Sequence, residues 1–117
     1  MSETLPRLVI VEDDPPFAQT LRRSFERRGY AVSHVASPEA LAELLDRAPG
    51  FDFAVVDLKL GTASGLTCVQ MLHGVQATTR IVVLTGFASI ATAVEAIKLG
   101  ASHYEVVPPS WTVWRLS

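Results

Sequence analysis

The sequence predicts an α/β fold, a doubly wound five-stranded parallel sheet, and three observations carry that expectation. Short apolar runs rich in β-branched residues recur along the chain at regular spacing, which is the pattern of buried strands. Segments with apolar residues every three or four positions alternate with them, each marking a helix with one buried face. Capping side chains, prolines and glycines punctuate the junctions. Strict strand and helix alternation requires crossover connections, which are right-handed and place helices on both faces of a parallel sheet.

The first strand is RLVIV at 7–11. Asp14, Pro15 and Pro16 then pair a capping carboxylate with proline in the first helical turn, and Phe17, Leu21 and Phe25 form the buried stripe of a helix that ends by Gly29. AVSHV at 31–35 is the second strand. Ser37 and Pro38 open a second helix with Leu41, Leu44, Leu45 and Ala48 inward. FDFAVV at 51–56 is the third strand, followed by a weaker helical segment from Ser64 to His73 with Leu66, Val69 and Leu72 apolar. IVVL at 81–84 is the fourth strand, and Ile90, Val94 and Ile97 are expected to be the buried stripe of the helix that stops at Gly100. YEVV at 104–107 is the fifth strand. Beyond it Pro108, Pro109, Trp111 and Trp114 do not read as a helix, because proline lacks a donor and clashes with the preceding turn.

The expected organisation is one domain over residues 1–108 and an atypical C-terminal tail over 109–117, with the fifth helix missing or replaced by irregular chain. At 117 residues there is room for one core and no second module. A net charge of −2 favours no polyanionic partner, so no nucleic-acid contact by this chain is expected. Cys68 is the single cysteine, which excludes an internal disulfide. Neither a signal peptide nor an apolar run of about 18 residues is present, so the reading is a cytoplasmic chain without a membrane span.

In open α/β sheets functional groups gather beyond the carboxyl ends of the strands. The first strand ends in Glu12, Asp13 and Asp14, the third in Asp57 and the fourth in Thr85. Carboxylates crowded on one rim repel one another unless a cation neutralises them, and an oxygen-only donor set suits Mg²⁺. A carboxylate beside such an ion can attack a phosphoryl group to give an acyl phosphate. Asp57, alone at the end of a very apolar strand, is the candidate nucleophile. Asp14 precedes two prolines and reads as a helix cap, whereas Asp13 reads as a metal ligand and Glu12 as one acting through water. His34, His73 and His103 share no metal-ligand spacing and read as surface residues. Arg22, Arg23, Arg27 and Arg28 read as a solvated helix face, and Cys68 as a packed thiol rather than a redox sensor.

With these residues in place, the chain resembles the receiver domain of two-component response regulators from residue 7 to residue 108. The resemblance implies a CheY-like, flavodoxin-like sheet of order 2-1-3-4-5. It implies that Glu12 and Asp13 hold Mg²⁺ together with Asp57 and the backbone carbonyl of Lys59. Asp57 matches the phosphoacceptor, Thr85 the switch hydroxyl and Tyr104 the switch aromatic, although an ordinary strand-end hydroxyl and a sheet-edge aromatic would look the same. The stretch IVVLTGFASIATAVEAIKLGA is most similar to the redox-responding global regulators. A sensor histidine kinase is the implied partner, and transcription regulation the implied role of the full-length form. Such a chain is a regulatory phosphoacceptor that assists its own phosphorylation and dephosphorylation, not an enzyme acting on a separate substrate.

One position departs from the family's pattern. The residue before Pro108 should be a lysine whose ammonium contacts a phosphoryl oxygen, and here it is Val107. Neither Lys59 nor Lys98 is placed to replace it. The alternative reading is therefore a phosphorylation-impaired interaction module. Trp111, Val113, Trp114 and Leu116 would then cover the surface left by the fifth helix, within the chain or in a homodimer or swapped dimer, self-association being the favoured arrangement.

Overall fold

A computed structural model describes residues 4–60, 63–86 and 90–106. The elements run β1 (Arg7–Val11), α1 (Pro15–Arg27), β2 (Ala31–Val35), α2 (Pro38–Arg47), β3 (Phe53–Asp57), β4 (Lys59–Leu60), β5 (Ala63–Ser64), α3 (Gly65–Val75), β6 (Arg80–Thr85), α4 (Ile90–Lys98) and β7 (His103–Val106). Five strands form one parallel sheet in the order β2-β1-β3-β6-β7. With the short antiparallel pair β4–β5 set aside, this is the expected order 2-1-3-4-5. The fifth helix, Val107 and the tail over 109–117 lie outside the described residues.

Local chemistry accounts for most junctions. The Asp14 carboxylate accepts the Phe17 N–H at 2.9 Å and caps α1, while the Ser37 hydroxyl accepts the Ala40 N–H at 3.1 Å and caps α2. After α4 the chain reverses at Gly100 with φ of +121°. A side chain there would also strike the His73 ring, since a Cβ would lie 2.5 Å from its Cγ. Only glycine meets both demands.

The core divides between the two faces of the sheet. Val9, Val11, Val56 and Val83 meet α2, α3 and α4 on one face, where Leu41, Val69 and Leu72 are buried. Leu8, Ile10, Val55 and Leu84 meet Phe17, Leu21 and Phe25 of α1 on the other. Of the three inner strands, β1 and β3 are buried on both sides, which explains their unbroken apolar runs.

The stripe expected of α4 is the reverse of the one found. Ile90, Val94 and Ile97 are exposed at 37%, 45% and 39%, and Ala93 and Ala96 face the sheet instead. The reason is space: α4 packs against α3, β6 and β7 at once, and the small alanine side chains permit that approach where β-branched ones would hold the helix away. The third strand also begins at Phe53 rather than at 51, although Phe51 remains in the core.

Candidate functional site

Strand order alone brings the candidate residues together. β1, β3 and β6 are neighbours, with Val11 paired to Val56 and Asp57 paired to Leu84. Glu12 and Asp57 therefore emerge side by side on the carboxyl rim, about one strand spacing of 4.8 Å apart in the backbone. Glu12 extends the β1–β2 ladder by one bond, its N–H donating to the Val35 carbonyl at 3.0 Å. Its side chain is fully buried, with Oε2 accepting the Asp14 N–H at 3.0 Å. Asp57 is 4% exposed, and its Oδ1 accepts the Lys59 N–H at 2.9 Å. Asp13 is exposed above them.

Carboxylate oxygens of Glu12, Asp13 and Asp57 lie within 4.8 Å of one another. Two buried like charges at such a distance repel by roughly 3 kcal/mol at an effective dielectric of about 20. A hard divalent cation offsets that repulsion and accepts an oxygen-only ligand set, so this donor group fits one. Asp14 stays out of the cluster because its carboxylate is committed to the α1 cap. The sequence reading of Asp14 as a helix cap holds, and Asp13 is one of the three clustered carboxylates.

The loop after Asp57 holds the carboxylate from behind. Lys59 opens the β4–β5 pair, whose two-residue strands bring the chain back to Gly65 at the start of α3. A Cβ on Gly65 would lie 2.8 Å from both the Asp57 carbonyl oxygen and the Leu58 Cα. A larger residue would displace the backbone that carries Asp57. Sequence reasoning missed Gly65; the Ser64-Gly65 dipeptide, a turn signal, was the available clue. The Lys59 side chain is exposed.

Thr85 is buried at the end of β6, one residue beyond the partner of Asp57, and its hydroxyl donates to the Gly86 carbonyl at 3.2 Å. Tyr104 pairs with Val83, is half-buried against the α4-side core and stacks on His103 with ring centroids 6.1 Å apart. Val107 lies outside the described residues. The reading of His34 as a surface residue needs correction. It is half-buried, and its Nε2 bonds the Glu12 carbonyl at 2.7 Å, bracing the rim from β2. That contact depends on β1–β2 register, which pairs Ile10 with His34 and cannot be read from either strand alone. His73 and His103 are exposed. Cys68 is wholly buried, and desolvation, then the Glu39 carboxylate, push its thiol up to about 11.

The model of the response regulator receiver domain matches residues 8–106. The chain belongs to that family. Among curated relatives, an acid tolerance regulatory protein, ActR, of Sinorhizobium medicae is 45% identical over 102 residues, covering 86% of this chain and 52% of ActR. A photosynthetic apparatus regulatory protein, RegA, of Rhodovulum sulfidophilum is 44% identical over 102 residues, covering 85% and 54%. The receiver therefore spans about half the length of these relatives. The RegA match is consistent with the resemblance to redox-responding global regulators. A solved response regulator from Burkholderia pseudomallei, described with a phosphorylated aspartic acid, calcium ion and citrate, superposes with TM-score 0.78 at 47% identity over 88% of this chain and 60% of that one. A CheY-like receiver from Methanospirillum hungatei, at 24% identity and TM-score 0.80 over 97% of this chain and 91% of that one, shows the same fold. Receiver domains are regulatory phosphoacceptors that bind a divalent metal at their acidic pocket. Among the described residues no helix is long and apolar enough to cross a membrane.

Proposed function

We propose that Asp57 of this receiver accepts a phosphoryl group from a sensor histidine kinase, with Mg²⁺ held by Glu12, Asp13, Asp57 and the backbone carbonyl of Lys59. The carrying observation is the convergence of those three carboxylates around the one aspartate that ends the central strand. The phosphorylated aspartic acid and calcium ion described for the Burkholderia relative support it.

In the reaction an Asp57 carboxylate oxygen attacks phosphorus, and the bond from phosphorus to the donor nitrogen breaks. The electron pair returns to the donor imidazole, and the product is an acyl phosphate on Asp57. The cation supplies charge neutralisation between an anionic nucleophile and an anionic donor. The chain supplies position: the Lys59 N–H fixes Oδ1, the Gly65 contact fixes the backbone, and burial excludes most competing water. Thr85 and Tyr104 are the proposed relay, with the Thr85 hydroxyl leaving the Gly86 carbonyl for the new phosphoryl oxygen and Tyr104 adjusting at the edge of the sheet. Transcription regulation would follow in the full-length form, in keeping with regulatory relatives about twice the length of this receiver.

Val107 makes this receiver slow. A charge-assisted hydrogen bond contributes about 1.5–3 kcal/mol, so its absence lowers the rate on the order of ten- to a hundredfold. Incubation with a small acyl-phosphate donor and Mg²⁺ should label the wild type slowly, Val107→Lys faster and Asp57→Ala not at all. Undiminished labelling of Asp57→Ala would overturn the assignment.

A further inference from the structure

Among the described residues, the face of the sheet opposite α2, α3 and α4 is only partly covered. Among the described residues α1 alone packs there, over β1 and β2. Between α1 and β7 lies an apolar trough of about 380 Å³, lined by Leu21, Phe25, Phe53, Val82, Leu84 and Val106. Its far wall is an aromatic ladder, with Phe25 and Tyr30 edge to face at 5.8 Å and Tyr30 and Phe53 at 5.4 Å. Arg80 and Glu105 stand at the rim.

We propose that this trough is filled by the chain's own segment Trp111–Leu116, acting as an apolar plug in place of a covering helix. Four observations select this occupant. Val106, which lines the trough, is followed directly by the segment's leader, Val107–Ser110. Trp111 is five residues beyond Val106, a reach of up to about 17 Å. Crossing from β7 over β6 and β3 to β1 takes three strand spacings, about 14 Å, so the whole trough is accessible. The chemistry matches, because Trp111, Val113, Trp114 and Leu116 are apolar and the one charged residue, Arg115, can face Glu105 at the rim. Finally, a short tether holds the segment at an effective concentration in the millimolar range, above that of any second copy in dilute solution. That last argument decides for the chain's own segment over the self-association expected from sequence.

The chain contains two tryptophans, both in this segment, so tryptophan emission reports on it alone. The full chain should emit at shorter wavelength than a free peptide of residues 108–117 and resist a soluble quencher, at a monomeric mass by light scattering and independently of dilution. Val82→Lys and Leu21→Lys should shift the emission back to that of the peptide while the far-UV spectrum is retained. Peptide-like emission in the wild type would overturn the proposal. So would a shift that vanishes on dilution together with a dimeric mass, which would mean the segment fills a second copy. Retention of the shift in both folded variants would also overturn it. Should neither variant fold, the wild-type dilution series decides.

Discussion

At the amino end of the sheet the Arg7 guanidinium donates to the carbonyls of Pro49 at 2.6 Å and Ala48 at 3.0 Å and lies 4.2 Å over the Phe51 ring. Beside it the Asp52 carboxylate accepts the Arg7 N–H at 2.9 Å. At the carboxyl end, Glu12, Asp13 and Asp57 bring three carboxylates within 4.8 Å of one another. The same kind of residue, an acid or base at a strand terminus, is matched locally at one end and set against its like at the other. Matching closes loops and stabilises the fold. Crowding like charges costs stability, and the strands on which they stand keep them together, an arrangement that a bound divalent cation would relieve.

The comparison can be broken at either end, and the largest effect belongs to the amino end. Arg7→Ala removes two charge-assisted hydrogen bonds and a cation–π contact, together roughly 3 kcal/mol. Chemical denaturation should show that loss, with divalent-metal affinity unchanged. Cys68 offers a third way to hold an ionisable group, neither matched nor crowded but kept neutral by burial. Its thiol, ordinarily at 9.0, is raised to about 11, so the unfolded chain ionises first as pH rises. Stability should be full below pH 9 and fall by about 2–3 kcal/mol as the pH climbs from about 9 to about 11. Cys68→Ala should flatten that window in pH-dependent melts. The smallest effect separates two adjacent acids: Asp14→Ala, removing the α1 cap, should cost about 1 kcal/mol of stability and leave metal binding intact.

Much of this is legible in the amino-acid sequence itself. The five strands, the order of elements and both capped helices follow from periodicity and junction chemistry, and the acidic rim follows from where the apolar runs stop. What escaped depends on contacts between distant elements. The face of α4 could not be chosen between Ile90, Val94 and Ile97 and the alternating alanines, because hydrophobicity favours the first and the available space the second. The β4–β5 pair is too short to carry a period. Gly65 matters because the end of β3 passes 2.8 Å from where its Cβ would be, and His34 because β2 runs beside β1. Neither fact is local to its own segment.

The central claim is that the carboxyl rim, and not the amino end, is a divalent-cation site centred on Asp57. Calorimetric titration with Mg²⁺ tests it most directly, comparing the wild type with Asp13→Asn, Asp57→Asn and Asp52→Asn. The expected result is one Mg²⁺ per chain in the wild type and in Asp52→Asn, with binding lost or much weakened in Asp13→Asn and Asp57→Asn. No binding to the wild type, or equal binding to all four proteins, would contradict the account.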